Sequence, residues 1–215
     1  MWPIYLTFLI FLGLLLIPLL ALLLLVNFFA VGLTNLGLSA GVGILVVLAM
    51  ILFSSVNLPL SNKESVKVKD GRFFGSLERE IVVNKGLSIN LGGGVIPLFI
   101  VSILIPNTPL IPTLIATVAA TLVAYNFSKV IPSVGVTTSP LFVVLTVAVL
   151  SLLLAPENPQ IVAFVSGVLG TLIGADLMNI KEVEKRSKTV MAIGGGGVFD
   201  GIFLIGILSS FLAGI

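Results

Sequence analysis

Asp176 and Asp200 are the two residues whose type and setting could carry chemistry. Each is an acid at the edge of a strongly apolar segment, where an ionisable group is costly and marks a functional site by default. Asp176 follows Gly174-Ala175. Asp200 follows the glycine run Gly194, Gly195, Gly196 and Gly197. Lys181 marks the polar edge just beyond Asp176, about one and a half helical turns away. If the glycine run lies at the membrane interface and a helix begins near Gly197, Asp200 stands in its first turn, at similar depth. Two carboxyls at close range cannot both ionise easily, so one keeps a proton. One then acts as base on a water and the other as acid, which is the chemistry of aspartyl hydrolysis. The plainer account has Asp200 complement a helix dipole while Asp176 reaches the headgroups or pairs with Lys181.

The elements that must position these acids follow from composition. Of 215 residues, 58% are hydrophobic and 9% charged, against about 25% charged in a soluble domain. The mean hydropathy is +1.26. This is the composition of an integral membrane protein with a single transmembrane domain over residues 1–215, located in the cell membrane and multi-pass. Cysteine and histidine are absent, which removes disulfides, thiol nucleophiles, His-based triads and thiolate or imidazole metal sites. No metal, cofactor or nucleic acid is expected. The expected partners are membrane lipid and either a transmembrane peptide substrate or a small cation.

The expected class is all-α, with about seven transmembrane helices. Residues 3–27 form the first, with Pro18 a kink site. Their length and the lack of a basic leader argue against a signal peptide. Residues 38–56 form the second. The third spans 87–105, the fourth 110–127, the fifth 140–155, the sixth 161–179 and the seventh 190–215. A polar loop at 61–86 carries an alternating stretch around Asp70-Gly71, which reads as a small β-hairpin with a tight turn. Residues 130–139 read as a connector or re-entrant loop, and 181–188 as a charged loop. With this count all eleven basic residues, from Lys63 to Lys188, fall in three loops on one side. The positive-inside rule then places the N-terminus in the cytoplasm and the C-terminus outside.

The glycine runs have two readings. Backbone N–H groups at Gly194, Gly195, Gly196 and Gly197, and at Gly92, Gly93 and Gly94 with Asn90 before them and Pro97 after, could bind a substrate's polar groups. Alternatively, glycine lets helices pack closely. Gly170 with Gly174, and Gly197 with Gly201, have GxxxG spacing and could also join copies of the chain. Asn57, Asn90 and Asn179 read as amides that bond across helices. Residues 92–104 resemble 195–208, so a parallel repeat of 1–105 and 137–215 is a further expectation. Such repeats are common in transporters.

The motifs Asn57-Leu-Pro-Leu, Ile89-Asn-Leu-Gly-Gly-Gly-Val-Ile-Pro97, Ile173-Gly-Ala-Asp-Leu177 and Ile193-Gly-Gly-Gly-Gly-Val-Phe-Asp-Gly-Ile-Phe-Leu204 together resemble the prokaryotic membrane family called domain of unknown function 1614. That likeness implies membrane class and no activity. A looser similarity is to the Gly-x-Gly-Asp intramembrane aspartyl proteases, the presenilin and prepilin-peptidase group. It implies that Asp176 and Asp200 are catalytic. Gly197 matches the first glycine of that motif. Phe199 stands where the second would be, and Ala175 stands where a tyrosine would precede the first acid.

Three functions follow from these residues. The chain is an aspartyl intramembrane protease, a small cation- or proton-coupled transporter or channel, or a non-catalytic membrane scaffold.

Overall fold

The computed structural model describes residues 2–61, 64–70, 79–131, 135–186, 190–195 and 200–214. Eight α-helices dominate it. α1 (Trp2–Thr34) is a leucine-rich rod that runs through Pro18 without a break. Tyr5, Leu6, Leu9, Ile10 and Phe11 and the large side chains from Leu14 to Leu24 are exposed, whereas Val26, Phe29, Ala30 and Leu33 are buried. The chain reverses at Gly37, whose φ of 88° suits a residue without a Cβ. Ser39 then caps α2 (Ala40–Phe53) by accepting from the Val42 N–H at 3.4 Å.

A small sheet follows where the polar loop was expected. β1 (Asn57–Pro59) and β2 (Glu64–Asp70) both pair antiparallel with β3 (Arg79–Asn90). β2 pairs with β3 with Asp70 opposite Arg79, whereas the turn and second strand expected over 71–74 lie outside the described residues. β3 continues to Asn90, through residues expected as the start of the third span. A π-helical turn, Leu91–Val95, leads into α3 (Ile96–Leu104).

α4 (Leu110–Asn126) and α5 (Pro140–Leu154) match the fourth and fifth expected spans. Between them the expected re-entrant connector is an antiparallel pair, β4 (Ser128–Ile131) and β5 (Gly135–Thr138). α6 (Pro159–Thr171) passes into a second π-helical segment, Leu172–Leu177. The charged loop is a short helix, α7 (Ile180–Arg186). The seventh expected span is divided. Its start is β6 (Val190–Ile193), which pairs parallel with β3, and its remainder is α8 (Gly201–Ala213).

The all-α expectation thus needs correcting: two small sheets sit at one end of the helices. The cause is local. Apolar runs of four or so residues do not distinguish a buried helix from a strand. Here Leu87 pairs with Met191 and Ile89 with Ile193, and the Ser88 hydroxyl adds a 3.0 Å bond to the Met191 carbonyl.

α6 and α8 form the centre. They run antiparallel, with Gly201 opposite Thr171 and Gly206 opposite Gly167. A Cβ at Gly167 would come within 3.1 Å of the Gly206 Cα, so small residues set this close approach. Phe164 and Phe203 fill the space beside it in an edge-to-face pair, both fully buried. One apolar cluster joins this pair to α1, α2 and α3, and another joins it to α4 and α5.

Among the described residues, two helices are long and apolar enough to cross a membrane, Tyr5–Thr34 and Pro159–Leu177, and five apolar helices are shorter. The outward faces of α1, α4 and α5 carry exposed Leu, Ile, Val and Phe along their length. Contiguous apolar surface of that extent suits contact with lipid rather than water, which gives the chain the character of a membrane protein.

Candidate functional site

Asp176 and Asp200 reach the same end of the molecule from opposite chain directions. Asp176 stands in the π-helical segment that closes α6. The Met178 N–H donates to the Ile173 carbonyl across that wide turn at 2.9 Å. Such a turn leaves carbonyls without their usual helical donors. The Asn179 side chain supplies some, donating to the Gly174 and Ala175 carbonyls at 3.2 and 2.9 Å. Asp200 is the N-cap of α8. Its extended backbone and its Oδ1, which accepts from the Ile202 N–H at 2.9 Å, start the helix at Gly201 rather than near Gly197. The plainer account of Asp200, a carboxylate at a helix start, is therefore part of its role.

Both acids are half-buried, and both line one cavity of about 400 Å³. The walls are β5 and the start of α5 on one side and β6 with its turn on another. Thr171 at the end of α6, Ala175 in the π-helical segment, and Gly201, Ile202 and Leu204 from α8 complete the lining. The volume is in the range of small-ligand sites. A second, much smaller pocket adjoins Asp176 between α7 and β6.

The glycines divide between two places. Gly194 and Gly195 line the cavity, and Gly196 and Gly197 lie outside the described residues. Asn90, Gly92, Gly93, Gly94 and Pro97 are buried and are not among the residues that line the cavity. Asn90 is bonded within the chain. Its amide donates to the Ser54 carbonyl at 2.6 Å and to Asn57 Oδ1 at 2.9 Å, and its oxygen accepts from the Gly93 N–H at 3.0 Å. Gly92 packs on the backbone of Met50 and Ser54, and Gly94 packs on Ile89 and the Ile193 carbonyl. Gly170 and Gly174 pack on Ala120 and Thr121 of α4, so that GxxxG face is covered within the chain.

Thr171 is a cavity residue that sequence reasoning missed. It is buried, and its hydroxyl has no hydrogen-bond partner among the described residues. Leaving such a group unsatisfied costs about 1–3 kcal/mol. A threonine in an apolar helix sends no signal of this, because it ordinarily bonds back to the preceding turn.

The family described as protein of unknown function (DUF1614) matches residues 50–212. The chain belongs to that family. The matched region contains the whole cavity and both acids, and it leaves α1 outside. No curated protein and no solved structure matches the chain. The similarity to the Gly-x-Gly-Asp proteases therefore finds no counterpart there, and membership of DUF1614 names no chemistry.

Proposed function

We propose that this DUF1614 protein is a membrane-embedded aspartyl hydrolase that cleaves peptide bonds of membrane-spanning substrates. The observation that carries the reading is that Asp176 and Asp200 line one cavity. One carboxylate takes a proton from a water as its oxygen attacks the scissile carbonyl. The other carboxyl donates its proton to the carbonyl oxygen; as the C–N bond then breaks, the first carboxyl passes the water's proton to the leaving nitrogen and the second takes a proton back from a hydroxyl of the tetrahedral diol. Asp200→Asn keeps the helix cap, since Asn caps as well as Asp. That variant should fold normally and lose cleavage of a single-span reporter. Full activity in folded Asp200→Asn, or in Asp176→Asn, contradicts the reading.

The same proposal takes α1 to α6 and α8 as seven membrane passes, with the N-terminus and both small sheets in the cytoplasm. The gathering of the basic residues into three loops supports that sidedness. Cysteine placed at Lys181 should react with an impermeant maleimide only from the cytoplasmic side, and cysteine at Glu157 only from outside. The opposite pattern refutes the topology.

Buried hydroxyls favour a second reading. Among the described residues, Ser151 on α5 and Ser209 and Ser210 on α8 have hydroxyls without partners. A further cavity of about 480 Å³, lined by Asn107, Glu157 and Asn158 among others, lies at the far ends of α3 to α6. Hydroxyls between two end cavities suit passage of a proton or small cation. Cation or proton flux in proteoliposomes, abolished by Asp176→Asn with no cleavage of any reporter, would select this reading over hydrolysis.

A further inference from the structure

α8 meets a different neighbour on each of its inner faces. Gly206 packs on Gly167 of α6. Phe203 and Ile207 face α1: the Phe203 ring lies against Phe29, and a Cβ at Gly32 would touch Ile207. Ile205 shares a cluster with Val143, Val144 and Val147 of α5. The outward face carries Leu204 and Leu208. Each lies about 160° around the helix axis from Gly206, one on either side of the direction opposite α6. Leu208 packs against the cluster of α1 and against that of α5, so it stands on the front of α8 between those two helices.

This front is recessed. Leu204, Leu208 and Leu212 are half-buried, whereas Phe28 and Val31 on α1 and Leu145 and Val149 on α5 are exposed. Phe28 stacks on Phe211 with ring centroids 4.9 Å apart and forms the rim on the α1 side. A groove therefore follows α8 between α1 and α5, about 17 Å long from Gly201 to Leu212. It runs into the acid cavity, because Gly201 and Leu204 belong to the lining of that cavity as well. The wall changes character at this junction. Leu204, Leu208 and Leu212 offer no polar side-chain atom, and beyond Gly201 come Asp200, Asp176 and the backbone of Gly194 and Gly195.

We propose that this groove docks the membrane-spanning helix of the substrate and delivers its unwound end to Asp176 and Asp200. A helix satisfies its own backbone and packs against leucine without polar partners. Where it unwinds, its N–H and C=O groups need new partners, and the groove opens onto polar walls at that point. An acyl chain fits the leucines but makes no use of the change. The proposal rests on the hydrolase reading and adds the form of the substrate: an apolar helix of about eleven residues, roughly three turns, on one side of the bond that is cut.

The test uses the full-length protein in proteoliposomes with a tagged single-span peptide. Benzoylphenylalanine replaces Leu208, Leu212 or, as controls on the outward face of α4, the exposed Val118 or Leu122. Illumination in the Asp200→Asn background, which holds the peptide uncleaved, should join it to positions 208 and 212 at least about tenfold more than to 118 and 122, the ratio for about 1.4 kcal/mol of preference. Equal labelling at all four positions overturns the proposal, and so do adducts at 208 and 212 that contain only lipid or only a second copy of the chain. Kinetics give an independent readout. Leu208→Trp fills the groove and should raise KM for the peptide about tenfold with kcat within about threefold of the parent, the pattern of lost docking. Should that variant fail to fold, Leu212→Trp carries the same comparison. Unchanged KM, with Asp176→Asn and Asp200→Asn inactive, overturns the docking and leaves the hydrolase reading standing. Cleavage that survives both Asp→Asn changes, or no cleavage by the parent, overturns the two together.

Discussion

Gly194 turns with φ of 70° directly against the backbone of Gly93 and Gly94, so the two glycine runs meet back to back. That contact joins the end of β6 to the start of the first π-helical turn.

A Cβ at position 194 has neither the space nor the backbone conformation it needs. Gly194→Ala should destabilise the protein by about 2–5 kcal/mol, the sum of left-handed strain and overpacking. Gly41, early in α2, meets nothing within 4 Å. Gly41→Ala should stabilise by about 0.5–1 kcal/mol. Thermal unfolding in detergent compares the two, and equal effects would contradict the packing described here.

Asn90 is fully buried and bonds the end of α2, β1 and the first glycine run to one another. Asn90→Ala leaves the Gly93 N–H and the Ser54 carbonyl short of a partner and should cost about 2–4 kcal/mol. Asn90→Asp should cost at least as much, because a carboxylate would face the Ser54 carbonyl and the Asn57 oxygen. An Asp variant as stable as the parent would show that these bonds do not form.

Much of the helical layout was legible. α4 and α5 begin and end within a residue or two of the expected spans, because proline and polar turns bound them on both sides. The strands were not legible. Residues 87–90 and 190–193 are short apolar runs that continue into glycine, and nothing local separates them from a helix start. Their partner lies in the other half of the chain. The charged stretch 181–188 was read as loop, yet α7 buries Val183 beneath its polar face. The acids of the cavity could be named from sequence because a carboxylate among apolar residues is conspicuous. Thr171 could not, because its type is ordinary in an apolar helix and only the fold makes it a wall of the cavity.

The parallel pairing of β3 with β6 is open to a direct check, since the chain contains no cysteine. Leu87 and Met191 are register partners. In adjacent strands such partners have side chains on one face at disulfide-compatible spacing. Leu87→Cys with Met191→Cys should crosslink under mild oxidation. Leu87→Cys with Ala192→Cys, shifted by one residue onto the opposite face, should not. Efficient crosslinking of the shifted pair alone would place the strands in another register.

The account turns on two carboxyls that direct water at a peptide bond from the walls of one cavity. Cleavage of a single-span peptide in oxygen-18 water, followed by mass spectrometry of the new C-terminus, tests this most directly. The expected result is one labelled oxygen in the product of the parent protein and no product from either Asp176→Asn or Asp200→Asn. Labelled product formed at the parent rate by either folded variant would contradict the account.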